Sequence, residues 1–462
     1  MKVMESFLLV AFVCCATCLY SISAQAGGLA FDAVGNLYVT DWSRHSVFKY
    51  TPDGTKSTFA TKLTYPGGLC FDGKGNLFVS DEAAIDTKRQ PSILKFTPDG
   101  KRSTFVTGIS SFGMAFDLSG NLFVSQGDSI FKFTPEGKKS TFVTSKRANF
   151  IDLAFDEAGN LFVVDQSLTA TDTEVGRSIF KFSPDGTKTA FASGLKDPTG
   201  LAVDKAGDVY VGVVTAADAS SHAILKFSAD GTESTLNSAL GIFVTGSMPV
   251  DRSGDLFVSN GHSILKINPS GTSSTFASDW LSTDKQWEYK CVAYDSECSP
   301  EIVKAGTTQM VLDLSDLPSG SKGRDAEIVW APDSKRFAFN YGPPTAAHTT
   351  YETVAFYQLH GDKWVALHAP ADDTSDSPQM VQLLKGHLPK GFNPRHCAPD
   401  RDILKVRDWA DANNAILYAP CYGRTSGQLE AGFLFTLKFD AEGKWKIVKM
   451  HRLSKKELEQ QE

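Results

Sequence analysis

Six copies of one four-strand repeat, a high Phe and Gly content and tight-turn signals at regular intervals predict an all-β chain. Its first half reads as a six-bladed β-propeller, followed by a C-terminal mainly-β domain. The repeat is plain in the strand-ending aspartates Asp32, Asp72, Asp117, Asp156, Asp204 and Asp251, spaced 40, 45, 39, 48 and 47 residues apart. Phe occurs 32 times and Gly 38 times. Aromatics favour strands and Gly favours the turns between them.

Each repeat divides into four strands. Strand a is GLAFD at Gly28, and its relatives begin at Gly68, Gly113, Asp152, Gly200 and Gly246. A D-x-x-G-N turn follows, with Gly supplying positive φ. Strand b is NLFVS, apolar at alternate positions. A loop of variable length leads to strand c, SILKF or a relative. T-P-D-G turns the chain into strand d, STFAT. One four-stranded antiparallel sheet cannot bury both faces alone, whereas sheets set around an axis bury them against each other. The ring is placed at 27–280. It begins at strand a with no leading strand to complete the last blade, so closure must come from blade packing or from the C-terminal part.

These repeats resemble the NHL-repeat and SMP-30/gluconolactonase-like group of six-bladed propellers, over a little more than half the chain. The resemblance implies the fold. Its lactonases hold a metal with a Glu near the chain start plus Asn and Asp, and the first repeat here contains no Glu. Its zinc-dependent lyases use several histidines around the channel. Of nine histidines, His45, His222 and His262 fall within the ring.

Residues 1–26 read as an export signal. Lys2 precedes an apolar run from Phe7 to Tyr20, and Ala24-Gln25-Ala26 fits a cleavage site. No later stretch is long and apolar enough to span a membrane. The expected location is secreted or periplasmic, and the expected state is a monomer. Net charge is −7, which disfavours nucleic acid as a partner. Past the signal stand Cys70, Cys291, Cys298, Cys397 and Cys421. An exported chain permits disulfides, with Cys291, Cys298, Cys397 and Cys421 as candidates and their connectivity open. Cys70 replaces an Ala of the other repeats and reads as a buried free thiol.

Beyond the ring, 281–325 is a polar linker carrying Cys291 and Cys298. Residues 326–452 contain a looser duplication. AEIVWAPDSKRFAFNYG at Ala326 matches VRDWADANNAILYAPCYG at Val406, and Trp330 lies 79 residues before Trp409. Two blade-like units of four strands are expected, with a short helix between them over Met380 to Leu388. A polar tail covers 453–462.

The b–c loops vary most, and variable loops on a uniform scaffold mark the binding face. Where strand b meets them the sequence reads Asp41, Asp81, Gln126, Asp165, Val213 and Asn260. Asp152 stands before strand a where four other repeats carry Gly. Asp41, Asp81, Gln126, Asp152, Asp165 and Asn260 are therefore the candidate channel-mouth residues. Asp41, Asp81 and Asp165 are hard oxygen donors suited to Ca²⁺. The competing reading is that each Asp accepts backbone N–H bonds of its own loop. Lys49, Lys95, Lys132, Lys181, Lys226 and Lys266 recur in strand c, either as an anion-binding ring or as surface lysines with stems packed on apolar neighbours. No catalytic constellation is evident. The function these residues favour is a ligand-binding or protein-interaction scaffold, with a small molecule or protein at the b–c loop face. The alternative is a metal-dependent lactonase-like hydrolase or lyase at the channel mouth.

Overall fold

The computed structural model describes residues 26–458, apart from 43, 83–89, 110, 112, 168–176, 216–221, 239, 241–245, 260–262, 292–299, 316–325, 343–349, 371–378, 385–388, 390–391, 394–395 and 399–400. The signal segment and Asn260, His262 and Cys298 lie outside the described residues. No described helix is long and apolar enough to cross a membrane.

The repeats fold as read. Ala26–Phe31, Leu37–Asp41, Ser46–Tyr50 and Lys56–Ala60 pair in order as strands a to d of the first sheet. Four more four-stranded sheets follow at 65–107, 114–144, 150–192 and 198–237. The sixth has strands Leu256–Ser259, Ser263–Ile267 and Ser273–Ser278, and its strand a shrinks to a single bridge from Val250 to Leu256. Each a–b turn is fixed by its aspartate. Asp32 Oδ1 accepts from the N–H groups of Val34 and Asn36 at 3.0 and 2.8 Å, and Gly35 takes φ +93°. Asx-turn bonding by a short side chain, next to a residue free to adopt positive φ, is what specifies this hairpin.

Strand b is the buried element of every sheet, and its aromatic second residue carries the packing. Tyr38 meets Phe71 of the second sheet edge-on at 5.0 Å, and Phe78 meets Phe116 of the third at 4.9 Å. Phe123 meets Phe155 of the fourth at 5.1 Å. The same contact closes the circuit, because Phe257 of the sixth sheet meets Phe31 of the first at 4.9 Å. Leu29, Val39, Tyr50, Phe257, Ile264 and Ala277 form one buried cluster across that seam. The fold is a β-propeller, and its packing circuit runs through six sheets. Blade packing supplies the closure that a leading strand would otherwise give.

The C-terminal part is also all-β. Within 281–325, Trp287–Cys291, Pro300–Lys304 and Met310–Asp313 pair as a three-stranded sheet. Trp287, Tyr289 and Ile302 bury one side of it. Glu327–Trp330, Arg336–Tyr341, Thr350–His360 and Lys363–Ala366 form the next sheet, joined in parallel by Arg401–Ile403. Lys405–Asp411, Asn414–Tyr422, Leu429–Phe439 and Trp445–Arg452 form the last. Trp330 and Trp409 both sit in the first strand of their sheets, so the duplication in sequence is a duplication of sheets. The helix expected at Met380 spans Gln379–Leu383. Cys397 and Cys421 are joined by a disulfide, and Cys70 is a free thiol, partly buried against the packing between the second and third sheets.

Candidate functional site

The strand-b carboxylates are buried and hydrogen-bonded. Asp41, Asp81 and Asp165 expose 7%, 4% and 6% of their surface. Asp165 Oδ1 accepts from the N–H of Asn149, which precedes strand a, and from Ser167, which begins the b–c loop, both at 2.9 Å. Asp81 Oδ1 accepts from the N–H groups of Thr64 and Tyr65 at 2.6 and 3.0 Å. Asp41 Oδ1 accepts from the Arg44 N–H at 2.9 Å. Carboxylate oxygens satisfied this way fasten loop to loop. Gln126 is half-buried, and its backbone pairs with Ser129 across a short turn. Among the described residues no cluster of three His, Cys, Asp or Glu side chains is placed to hold a metal ion.

Arg44 sets the first blade's loop apart. Its guanidinium bonds Asp41 Oδ2 at 3.2 Å, Asp279 Oδ2 at 2.5 Å and Glu327 Oε1 at 2.9 Å. Lys56 takes the other oxygen of Asp279 at 2.6 Å. Burial pushes the Asp279 carboxyl up, but the two cations outweigh it and hold the group well below the usual range. This ion cluster ties the first sheet, the chain leaving the sixth sheet and the first strand of the 327–366 sheet together. A small cavity of about 20 Å³ opens beside it, lined by Asp41, Tyr50, Lys56, Ser263 and Asp279 among others. That is room for about one water. Sequence reasoning passed over Arg44, because its partners lie 235 and 283 residues away.

The loop face here also carries rings. Trp42 and His45 flank Tyr65, with centroids 5.7 and 5.8 Å away. His45 takes φ +51°, and its Nδ1 donates to Thr64 O at 2.5 Å. His222 is fully buried in strand c of the fifth sheet, and burial lowers its pKa. His45 and His222 thus serve separate places.

Each of the six recurrent lysines is the cross-strand partner of a strand-b aromatic, for example Lys132 opposite Phe123 and Lys266 opposite Phe257. Their ammonium groups sit 5.0–5.6 Å from the ring centroids. Lys226 and Lys266 also reach Asp208 and Asp255 at 2.7 Å. The ring-face attraction and the turn carboxylates account for the repetition.

Asp152 is neither loop prop nor surface group. It is 4% exposed, and it accepts from the N–H groups of Leu153 through Oδ1 and Leu201 of the next sheet through Oδ2, both at 2.9 Å.

No protein family and no curated protein matches the chain. Among solved structures it is similar to a virginiamycin B lyase from Staphylococcus aureus, at 13% identity and TM-score 0.41 over 61% of this chain and 92% of that one. It is similar to a gluconolactonase from Xanthomonas campestris, at 17% identity and TM-score 0.39 over 69% and 96%. It is also similar to an auxiliary nutrient binding protein from Bacteroides thetaiotaomicron, at 12% identity and TM-score 0.40 over 51% and 66%.

Proposed function

We propose that this propeller is a binding scaffold whose b–c loop face receives a small molecule or a protein partner outside the cytoplasm. The observation that carries the reading is the use of the strand-b carboxylates. Asp41, Asp81 and Asp165 spend their oxygens on the N–H groups of the very loops that form the face. They pre-shape that surface, and pre-shaping lowers the ordering cost of binding. The Trp42–Tyr65–His45 cluster supplies aromatic contact area there, which binding surfaces favour. The Cys397–Cys421 disulfide supports an oxidising compartment.

The competing reading is a metal-dependent lactonase-like hydrolase or lyase at the channel mouth, with Asp41, Asp81, Asp165 or Asn260 on the ion. Turnover of an aldonolactone, followed with and without Ca²⁺ or Zn²⁺, separates the two. A scaffold shows no metal-dependent rate, and Asp165→Ala lowers stability by about 1–3 kcal/mol through two loop amides left without an acceptor. A rate that needs the ion and vanishes in Asp165→Ala overturns the scaffold.

A further inference from the structure

The inner ends of the sheets are stitched together by strand-b hydroxyls. Thr40 Oγ1 donates to Gly67 O of the second sheet at 2.7 Å. Ser80 Oγ accepts from the Ser111 N–H, which leads into the third, at 3.1 Å. Ser125 Oγ donates to Ile151 O of the fourth at 3.4 Å. The fourth sheet breaks the series, since Val164 fills the position held by Thr40, Ser80 and Ser125. Val164 is paired directly across from Asp152, and Asp152 makes the stitch instead, to the Leu201 N–H. The fourth and fifth sheets both lack the hydroxyl, at Val164 and Gly212, and the fourth is the one with a carboxyl beside the gap.

That exchange puts a titratable group where the other seams have neutral ones. Strand a of the third and fifth sheets and strand b of the third and fourth pack on the strand carrying Asp152. The titratable group these four strands contribute is Asp165, which is already bonded to Asn149 and Ser167. Among the described residues no cation therefore faces Asp152, and a buried carboxylate held by two amides alone is costly.

We propose that the seam between the fourth and fifth sheets is a proton-sensitive joint: it is tight while Asp152 is neutral and loosens when Asp152 ionises. Burial raises the Asp152 carboxyl from 3.8 to about 7, against the opposing pull of the Leu201 and Leu153 amides. The sign follows from proton linkage. The closed joint binds a proton between pH 3.8 and about 7 that an opened, hydrated joint does not, so closure is favoured in acid and lost as pH rises to about 7, then levels off. Gln166 Nε2 also bonds Pro198 O across the same seam, at 3.3 Å. The inference does not depend on what the loop face binds.

Hydrogen exchange of the Leu201 amide, corrected for the intrinsic chemical rate, reads the joint directly. From pH 5 to 8 its opening constant is expected to rise on the order of a hundredfold, while the Ser111 amide at the second seam stays flat. Asp152→Asn is expected to abolish the rise. If that variant fails to fold, the double variant Asp152→Gly, Val164→Ser restores the hydroxyl pattern of the first three sheets and is expected to be flat as well. Equal slopes at Leu201 and Ser111, or a slope that persists without the carboxyl, overturn the proposal.

Discussion

Phe257→Ala is expected to destabilise the propeller by about 3–5 kcal/mol, the range for emptying a large buried aromatic. Phe257 is 3% exposed and stands edge-on to Phe31 at 4.9 Å and to Phe276 at 5.1 Å. It belongs to the seam where the ring closes without a shared strand, so side-chain packing there has no ladder of inter-sheet hydrogen bonds behind it. Urea unfolding gives the stability loss. Hydrogen exchange locates it, and the first and sixth sheets are expected to lose protection before the third and fourth. A uniform loss over all sheets would mean that the circuit opens elsewhere.

Arg336→Ala is expected to cost about 3–5 kcal/mol as well, for a different reason. Arg336 is 6% exposed, and its guanidinium donates to Gln358 Oε1, Ala412 O, Asn413 Oδ1 and Asp440 O, at 2.7, 3.0, 2.8 and 2.7 Å. It bolts the 327–366 sheet to two turns of the last sheet, and truncation leaves those acceptors without a donor. Arg336→Lys restores charge but not the planar fork, and is expected to recover only part of the loss. Thermal melting of the three proteins checks the order.

Much of this was legible in the sequence because the repeat repeats its physics. The D-x-x-G turns, the buried strand b and the lysine opposite each aromatic follow from spacing and alternation. The Val164 and Asp152 exchange was also visible, as two departures from the pattern in one repeat, but only the strand register shows that they face each other. Asp81 was read as a ligand or as the cap of its own loop. Among the described residues its carboxylate accepts from the N–H groups of Thr64 and Tyr65, where the chain enters strand a. Arg44 was invisible, since a long-range ion cluster leaves no local signature. The three strands within 281–325 were masked by polar connecting segments, and their buried Trp287 and Tyr289 were the one hint.

The measurement that bears most directly on the role of the strand-b carboxylates is a calcium and zinc titration of the purified protein, following melting temperature and bound metal. An ion held only by the folded state at a hundred times its Kd adds about 2.7 kcal/mol of stability. If Asp41, Asp81 and Asp165 are loop props, neither ion binds stoichiometrically, and Asp41→Ala melts lower by the same margin with and without metal. A stoichiometric ion that raises the melting temperature and is lost in Asp41→Ala or Asp165→Ala would contradict that role and place a metal centre at the channel mouth.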